Sequence, residues 1–368
     1  RTYRSFTKGV IKTQPGVQYS TSKSRLSAEY CLDLVRQHDY ENFLCTLLLP
    51  SQSRTSAFAI RAFNTEVAKV QDQVTEPRLG QMRMKFWEET LDKIYINDPP
   101  SHPVAVELYR ATKRHKLSKR YLKRLITARA ARLTSTTFPD LEAVEHYAEH
   151  SVSSVYYLLL EASGVENIHA DHAASHLGKA HGIVNVIRSV LYDAQRKIVA
   201  LPQDVLLQHN VSHETVLRYN CTGGLRDAVF DIAARAKQHL DKARSLSNNI
   251  PKTVYPLFLP AVTVDSYLER LRLNGFDVFD STLQKRNNSL PFLFFWNKNV
   301  FNNISCRTEK GAVSQKHANE IKQCTQTTYM IIRNKQNEGS RSLEKCVTQW
   351  NPMIWSATAI ALQHQCWR

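Results

Sequence analysis

The residues best suited to chemistry lie within residues 177–206, LGKAHGIVNVIRSVLYDAQRKIVALPQDVL. Ile183, Val184, Ile187, Val190 and Leu191 recur at helical spacing, while Asn185, Arg188, Ser189, Tyr192, Asp193 and Arg196 form a polar stripe at offsets of three and four. The spacing predicts one long amphipathic helix whose polar side carries an amide, two guanidinium groups, a hydroxyl, a phenol and a carboxylate. The helix should stop near Ala200, because Pro202 restricts the residue before it and has no amide hydrogen to donate. His169, His172, His176 and His181 cluster at its start, and the i, i+4 pair His172 and His176 could hold a metal ion. No glutamate completes an H-E-x-x-H pattern, so the four are read as exposed polar positions of the helix entry.

This stretch resembles the second signature of the squalene/phytoene synthase family, in which a helix reads N-x-x-R-D-x-x-x-D-A and runs into an L-P-x-D loop. Asn185, Arg188, Asp193, Ala194, Leu201, Pro202 and Asp204 match, and Ser189 departs from the pattern. In the family two carboxylates four residues apart share Mg²⁺ ions that hold a substrate diphosphate. With Ser189 that pair is reduced to Asp193.

The segment TSAFAIRAFNTEVAKVQDQV, residues 55–74, carries the second match. Ala62-Phe63 aligns with a family dipeptide, which puts Ala68, Lys69 and Asp72 at the three acidic positions of a D-D/E-x-x-D box. A Mg²⁺-diphosphate site calls for about four or five carboxylates, because a hard dication takes oxygen ligands and the diphosphate brings its own charge. Asp72 and Asp193 are the two that remain. The resemblance implies an all-α, isoprenoid-synthase-like helical bundle around a central cavity, with Asn185 and Arg188 as polar cavity residues and neither a resident metal nor a cofactor.

Within the family, the run Ala62-Phe63-Asn64-Thr65-Glu66 is similar to a mitochondrial branch that serves the assembly of respiratory complex I. That resemblance implies a matrix protein, peripheral to the inner membrane, whose partners are complex I subunits or assembly intermediates. It implies a non-catalytic scaffold or ligand-binding chaperone. The alternative is a working Mg-dependent prenyl transferase of the phytoene or squalene type using Asp72 and Asp193, for which fold analogy alone is a weak warrant. A third reading is an electrostatic membrane adaptor that uses no ligand.

Further elements must position these residues. Residues 28–49 read as one helix ended by Pro50, and residues 55–74 as the next, with Phe58, Ala62, Phe63, Val67 and Val70 facing the core. In residues 78–95, Met82, Phe86, Trp87, Leu91 and Ile94 read as core packing. Residues 141–162 form the helix before the central one, with Ser153-Ser154 placed to narrow the cavity.

Composition bounds the remaining options. The chain of 368 residues is 42% hydrophobic and 22% charged, enough for a sizeable core. Its formal charge of +16 points to an anionic partner. Part of the excess falls in residues 1–27, where Arg1, Arg4, Lys8, Lys12, Lys23 and Arg25 accompany many hydroxyl residues and no acid, the composition of a mitochondrial presequence. The squalene/phytoene synthase-like domain then covers 28–297, and 298–368 is a polar tail expected to be poorly ordered.

Residues 110–132 form the most basic segment. Lys113, Lys116, Lys119 and Lys123 are its candidates for docking on an anionic bilayer, against the plainer reading of a solvated helix face. No recognised fold or aromatic platform supports nucleic acid as the partner. No apolar run approaches the ~18 residues needed to span a membrane. The seven cysteines lack C-x-x-C spacing, which argues against a disulfide framework or a zinc knuckle.

Overall fold

The structure, a computed structural model, describes residues 18–300 apart from 75 and 136. Most of the expected presequence and tail, with Cys306, Cys324, Cys346 and Cys366, lies outside the described residues. The chain divides into two units, the first ending at Lys285 and the second beginning at Arg286.

In the first unit the helices are α1 (Gln18–His38), α2 (Tyr40–Leu47), α3 (Ser51–Gln73), α4 (Pro77–Tyr95), α5 (Pro103–Arg114), α6 (Lys119–Thr134), α7 (Leu141–Ala148), a π-helical turn (Glu149–Ser153), α8 (Ser154–Ala162), α9 (Ile168–Gln195), α10 (Gln203–Gln208), α11 (His213–Leu217), α12 (Gly223–Ser245), α13 (Pro260–Leu273) and α14 (Ser281–Gln284). The described part of the second unit holds α15 (Leu290–Val300). No strand occurs among the described residues; an isolated parallel bridge joins Phe138 to Pro202. Proline opens α4, α5 and α13, where its missing amide hydrogen is harmless because first-turn amides have no partner within the helix. Asp140, Asn167 and Thr222 cap α7, α9 and α12 by accepting from the amides of Ala143, Ala170 and Leu225.

The bundle is built on α9, which packs against α7, α8, α12 and α13. Its buried residues, among them Ala173, Ala174, Leu177, Ile183, Val184, Ile187 and Val190, take up more than half its circumference, so neighbours must cover it on several sides. Glycine sets the closest approach. A Cβ on Gly178 would lie 2.1 Å from Ser153 Oγ and 2.5 Å from Ser153 Cα, and one on Gly182 would lie 2.3 Å from Ala148 Cβ. The π turn sits at this seam, where Ser153 Oγ donates to the Ser175 carbonyl at 3.1 Å. Glu149 there accepts from the Tyr157 and Ser175 hydroxyls at 2.6 and 2.7 Å. Burial alone would raise its carboxyl pKa, but these donors hold it below the usual range.

Several sequence expectations are corrected. The single helix over 28–49 is two, broken at Asp39, whose carboxylate accepts from Asn42 Nδ2 at 2.8 and 3.1 Å. The basic segment is likewise split between α5 and α6. The central helix ends at Gln195, where Ile198 N donates to the Asp193 carbonyl (2.9 Å) and Lys197 N to that of Ala194 (3.0 Å), with Lys197 at φ 61°. These two bonds form a Schellman motif, so the helix stops before the proline can act. Helix α1 extends back to Gln18, and Ser27 at its middle is buried and donates to Glu107 Oε1 at 2.6 Å.

In α4, Met82 and Phe86 are 65% and 47% exposed, whereas Gly80, Met84, Trp87, Leu91 and Ile94 are buried. Positions 82 and 86 lie on the arc opposite the buried residues, since each residue turns the helix by about 100°.

Candidate ligand site and its electrostatics

The C-terminal ends of α3 and α9, which carry the positions read from the sequence as the two acidic boxes, meet where Asp72 reaches Tyr192 and Arg196. On α3, Ala68 and Asp72 are exposed and Lys69 is half-buried; on α9, Ser189 and Asp193 are half-buried. Asp72 Oδ1 accepts from Arg196 Nη1 at 2.9 Å and from the Tyr192 hydroxyl at 3.1 Å. Arg196 Nη2 donates to the Gln71 carbonyl at 3.0 Å, so one guanidinium ties the two helices. Ser189 turns its hydroxyl back to the Val186 carbonyl at 3.0 Å. Burial raises the Asp193 carboxyl pKa and Asp72 adds to the rise, opposed by Ser189, Arg196 and Arg132. Arg132 stacks on the Phe138 ring at 3.8 Å and donates to the Thr137 carbonyl at 2.9 Å.

Two carboxylates thus face two guanidinium groups. The donors do not fit Mg²⁺, which demands near-octahedral oxygen ligation, because one Asp72 oxygen is engaged by Arg196 and the neighbouring cations repel a dication. Among the described residues no group of three His, Cys, Asp or Glu side chains is placed to hold a metal.

Arg188 has other partners. It donates to Glu41 of α2 at 2.8 and 3.1 Å, and its guanidinium lies 5.4 Å from the Tyr267 ring centroid. Burial would lower its pKa, but Glu41 and Tyr267 raise it overall. Asn185 is exposed on the same helix.

Deeper in the bundle is a polar cluster that sequence reasoning missed. Arg61 is 4% exposed, its Nη1 lies 3.9 Å from Asp39 Oδ2, and its Nε has no hydrogen-bond partner. The Tyr156 hydroxyl and His181 Nδ1 are 2.9 Å apart, both side chains buried. Burial, reinforced by Arg188 and Arg61 and opposed by Glu41, pushes the His181 pKa down to about 4. The usable signal was Arg61 itself, a cation inside the apolar run Ala57-Phe58-Ala59-Ile60-Arg61-Ala62-Phe63.

The histidines are corrected accordingly. His169 and His172 are exposed as expected, but His181 is buried and His176 Nδ1 pairs with His239 Nδ1 of α12 at 2.9 Å. A helix entry buries the side turned to its neighbours, and α12 covers this one.

On the basic segment, Lys113, Lys116 and Lys123 are exposed. Lys119 is half-buried, pairing with Asp92 of α4 at 2.9 Å and lying 5.5 Å from the Tyr95 ring centroid.

Residues 35–290 match the squalene/phytoene synthase family. The chain is 45% identical over 272 residues to NADH dehydrogenase (ubiquinone) complex I, assembly factor 6 of Bos taurus, covering 73% of this chain and 82% of that one. It is 42% identical over 281 residues to the Drosophila melanogaster homologue of that factor, covering 74% and 84%. Among solved structures, squalene synthase HpnC from Alicyclobacillus acidocaldarius superposes with a TM-score of 0.63 at 20% identity, over 70% of this chain and 97% of that one. That likeness establishes an isoprenoid-synthase helical fold.

Proposed function

The chain belongs to the squalene/phytoene synthase family, and we propose that within it the protein is a non-catalytic assembly factor for mitochondrial respiratory complex I. The assembly factor 6 relatives, similar over nearly three-quarters of the chain, support the assembly role. The observation that carries the non-catalytic reading is the Arg196 link. Where the family's two acidic boxes would face each other across Mg²⁺, a guanidinium binds Asp72, and Lys69 and Ser189 stand at acidic positions.

The protein acts as a scaffold or ligand-binding chaperone for complex I subunits or assembly intermediates. It sits on the matrix side of the inner membrane as a peripheral protein, guided there by residues 1–27 and held in part by Lys113, Lys116 and Lys123. Affinity purification of the full chain from mitochondria tests the role: complex I subunits or an assembly intermediate among the captured proteins is the expected result. Turnover of farnesyl or geranylgeranyl diphosphate with Mg²⁺, abolished in Asp193→Ala, would overturn the non-catalytic reading in favour of a prenyl transferase.

A further inference from the structure

Helix α4 carries a row of apolar side chains on its outer face. Leu79, Met82 and Phe86 are 48%, 65% and 47% exposed, and Ile96 at the helix end is 70% exposed. Spacings of three and four keep the first three on one side of the helix. With a rise of about 1.5 Å per residue, the row from 79 to 96 runs for about 25 Å. Among the described residues, the other exposed large apolar residues of the first unit are spread over five other helices and a turn. The apolar runs at 44–50 and 256–261, by contrast, are turned inward, with Leu44, Leu49, Leu257 and Phe258 buried.

The row is bordered by cations. Helix α6 runs antiparallel beside α4: Lys119 meets Asp92 and the Tyr95 hydroxyl meets the Leu117 carbonyl at one end, while Gln81 reaches the Ala130 carbonyl at 2.9 Å at the other. With their buried sides both turned to the core, the outer arcs of the two helices share one face. On α4 that face exposes Arg78, Lys85 and Lys93, and on α6 Arg120 and Lys123. Of the acids nearby, Asp92 is already neutralised by Lys119, leaving Glu76, Glu89 and Asp98 exposed and Glu88 half-buried against the five cations.

We propose that the outer face of α4 and α6 is the membrane-docking surface, with Leu79, Met82, Phe86 and Ile96 entering the acyl boundary of an anionic bilayer while the flanking cations meet lipid phosphates. The inference rests on the peripheral membrane contact proposed above and gives it a specific surface, moved from the lysines of α5 and α6 towards α4. An apolar stripe fringed by Lys and Arg is the composition of a surface that lies in a membrane interface, because long basic side chains keep their charges at headgroup level while their stems cover apolar area. The cations alone give attraction that salt screens, and the apolar row supplies a component that salt leaves in place.

The test is co-sedimentation of the purified full chain with phosphatidylcholine vesicles with and without cardiolipin. The native chain should bind the cardiolipin vesicles and retain a measurable share at half-molar salt. The Met82→Ser/Phe86→Ser variant should bind tenfold or more weakly with unchanged helical circular dichroism, since both side chains are exposed. Phe230→Ser, which alters an exposed aromatic on α12, should bind as the native chain does. Native binding that the double variant leaves intact, and that Lys85→Glu/Lys123→Glu abolishes, would overturn the apolar row while preserving the membrane contact. A native chain that ignores both vesicle types would overturn the membrane contact itself. A native dimer by light scattering that Phe86→Ser converts to monomer would assign the row to a second copy of the chain instead.

Discussion

Acidification should reveal His181 as a charge the bundle cannot accept. In the unfolded chain the imidazole titrates near 6.5, whereas in the folded chain its pKa is pushed down to about 4. The folded pKa is the lower, so the neutral ring's contribution is fully present above pH 6.5. It drains away as pH falls from there towards 4. At pH 5 the unfolded chain takes up the proton and the folded chain largely does not, which by linkage costs about 2 kcal/mol relative to pH 7.5.

The structural cause is specific. The ring is 7% exposed, its Nδ1 faces the Tyr156 hydroxyl at 2.9 Å, and the positive charges of Arg61 and Arg188 oppose another. Urea unfolding followed by far-ultraviolet circular dichroism measures it. With a urea slope of about 3 kcal/mol/M, the midpoint should fall by roughly 0.7 M more between pH 7.5 and 5 in the native chain than in His181→Leu/Tyr156→Phe. The double variant removes the hydroxyl as well as the ring, so no buried donor is stranded. Other depressed histidines, His176 and His239 among them, contribute equally to both proteins and cancel in the difference. Equal midpoint losses in the two proteins would refute the reasoning.

Millimolar Mg²⁺ with a non-hydrolysable farnesyl diphosphate analogue should leave the melting temperature almost unchanged. A ligand at a hundred times its Kd would add about 2.7 kcal/mol, so a shift of several degrees would show that Asp72 and Asp193 still hold a metal. Arg196→Ala should cost no more than about 1 kcal/mol in chemical denaturation, because the pair is 30% and 51% exposed; a larger loss would mean that the link bears on the core. Gly178→Ala should destabilise by about 3 kcal/mol or more, since its Cβ meets the Ser153 backbone as well as the hydroxyl, and a midpoint within error of native would contradict the packing. The mature amino terminus, read by mass spectrometry of mitochondrial protein, should fall between Val17 and Ser27. A terminus upstream of Val17 would rule the boundary out.

What sequence could disclose tracks how local each cause is. The helices opened by Pro77 and Pro103, the long central helix and the buried side of α3 follow from periodicity and proline, which act over a few residues. The break at Asp39 joins a local partner, Asn42, to a distant one, Arg61 of the next helix, which sequence periodicity does not reveal. Met82 and Phe86 misled because apolar type was read without the angular position that Met84, Trp87 and Leu91 define. Of the positions read from the sequence, Asp72 is the one shown to be tied to the end of α9, through Tyr192 and Arg196. The site's electrostatics were not legible, since Arg196 and Asp72 are 124 residues apart and nothing local announces that one will bind the other. His181 and Tyr156 belong to the same class.

The seam at Gly178 and Gly182 and the exposure of Ala68 and Asp72 together determine where this architecture can tolerate change. Along the seam, even one added methyl group collides with a neighbouring helix, so the sequence there has almost no freedom while the bundle survives. At Ala68 and Asp72, side chains project into solvent and support no core, so a carboxylate can be exchanged for a methyl group at little cost to folding. Steric constraint is therefore concentrated along the helix seam and relaxed at these two exposed positions of α3.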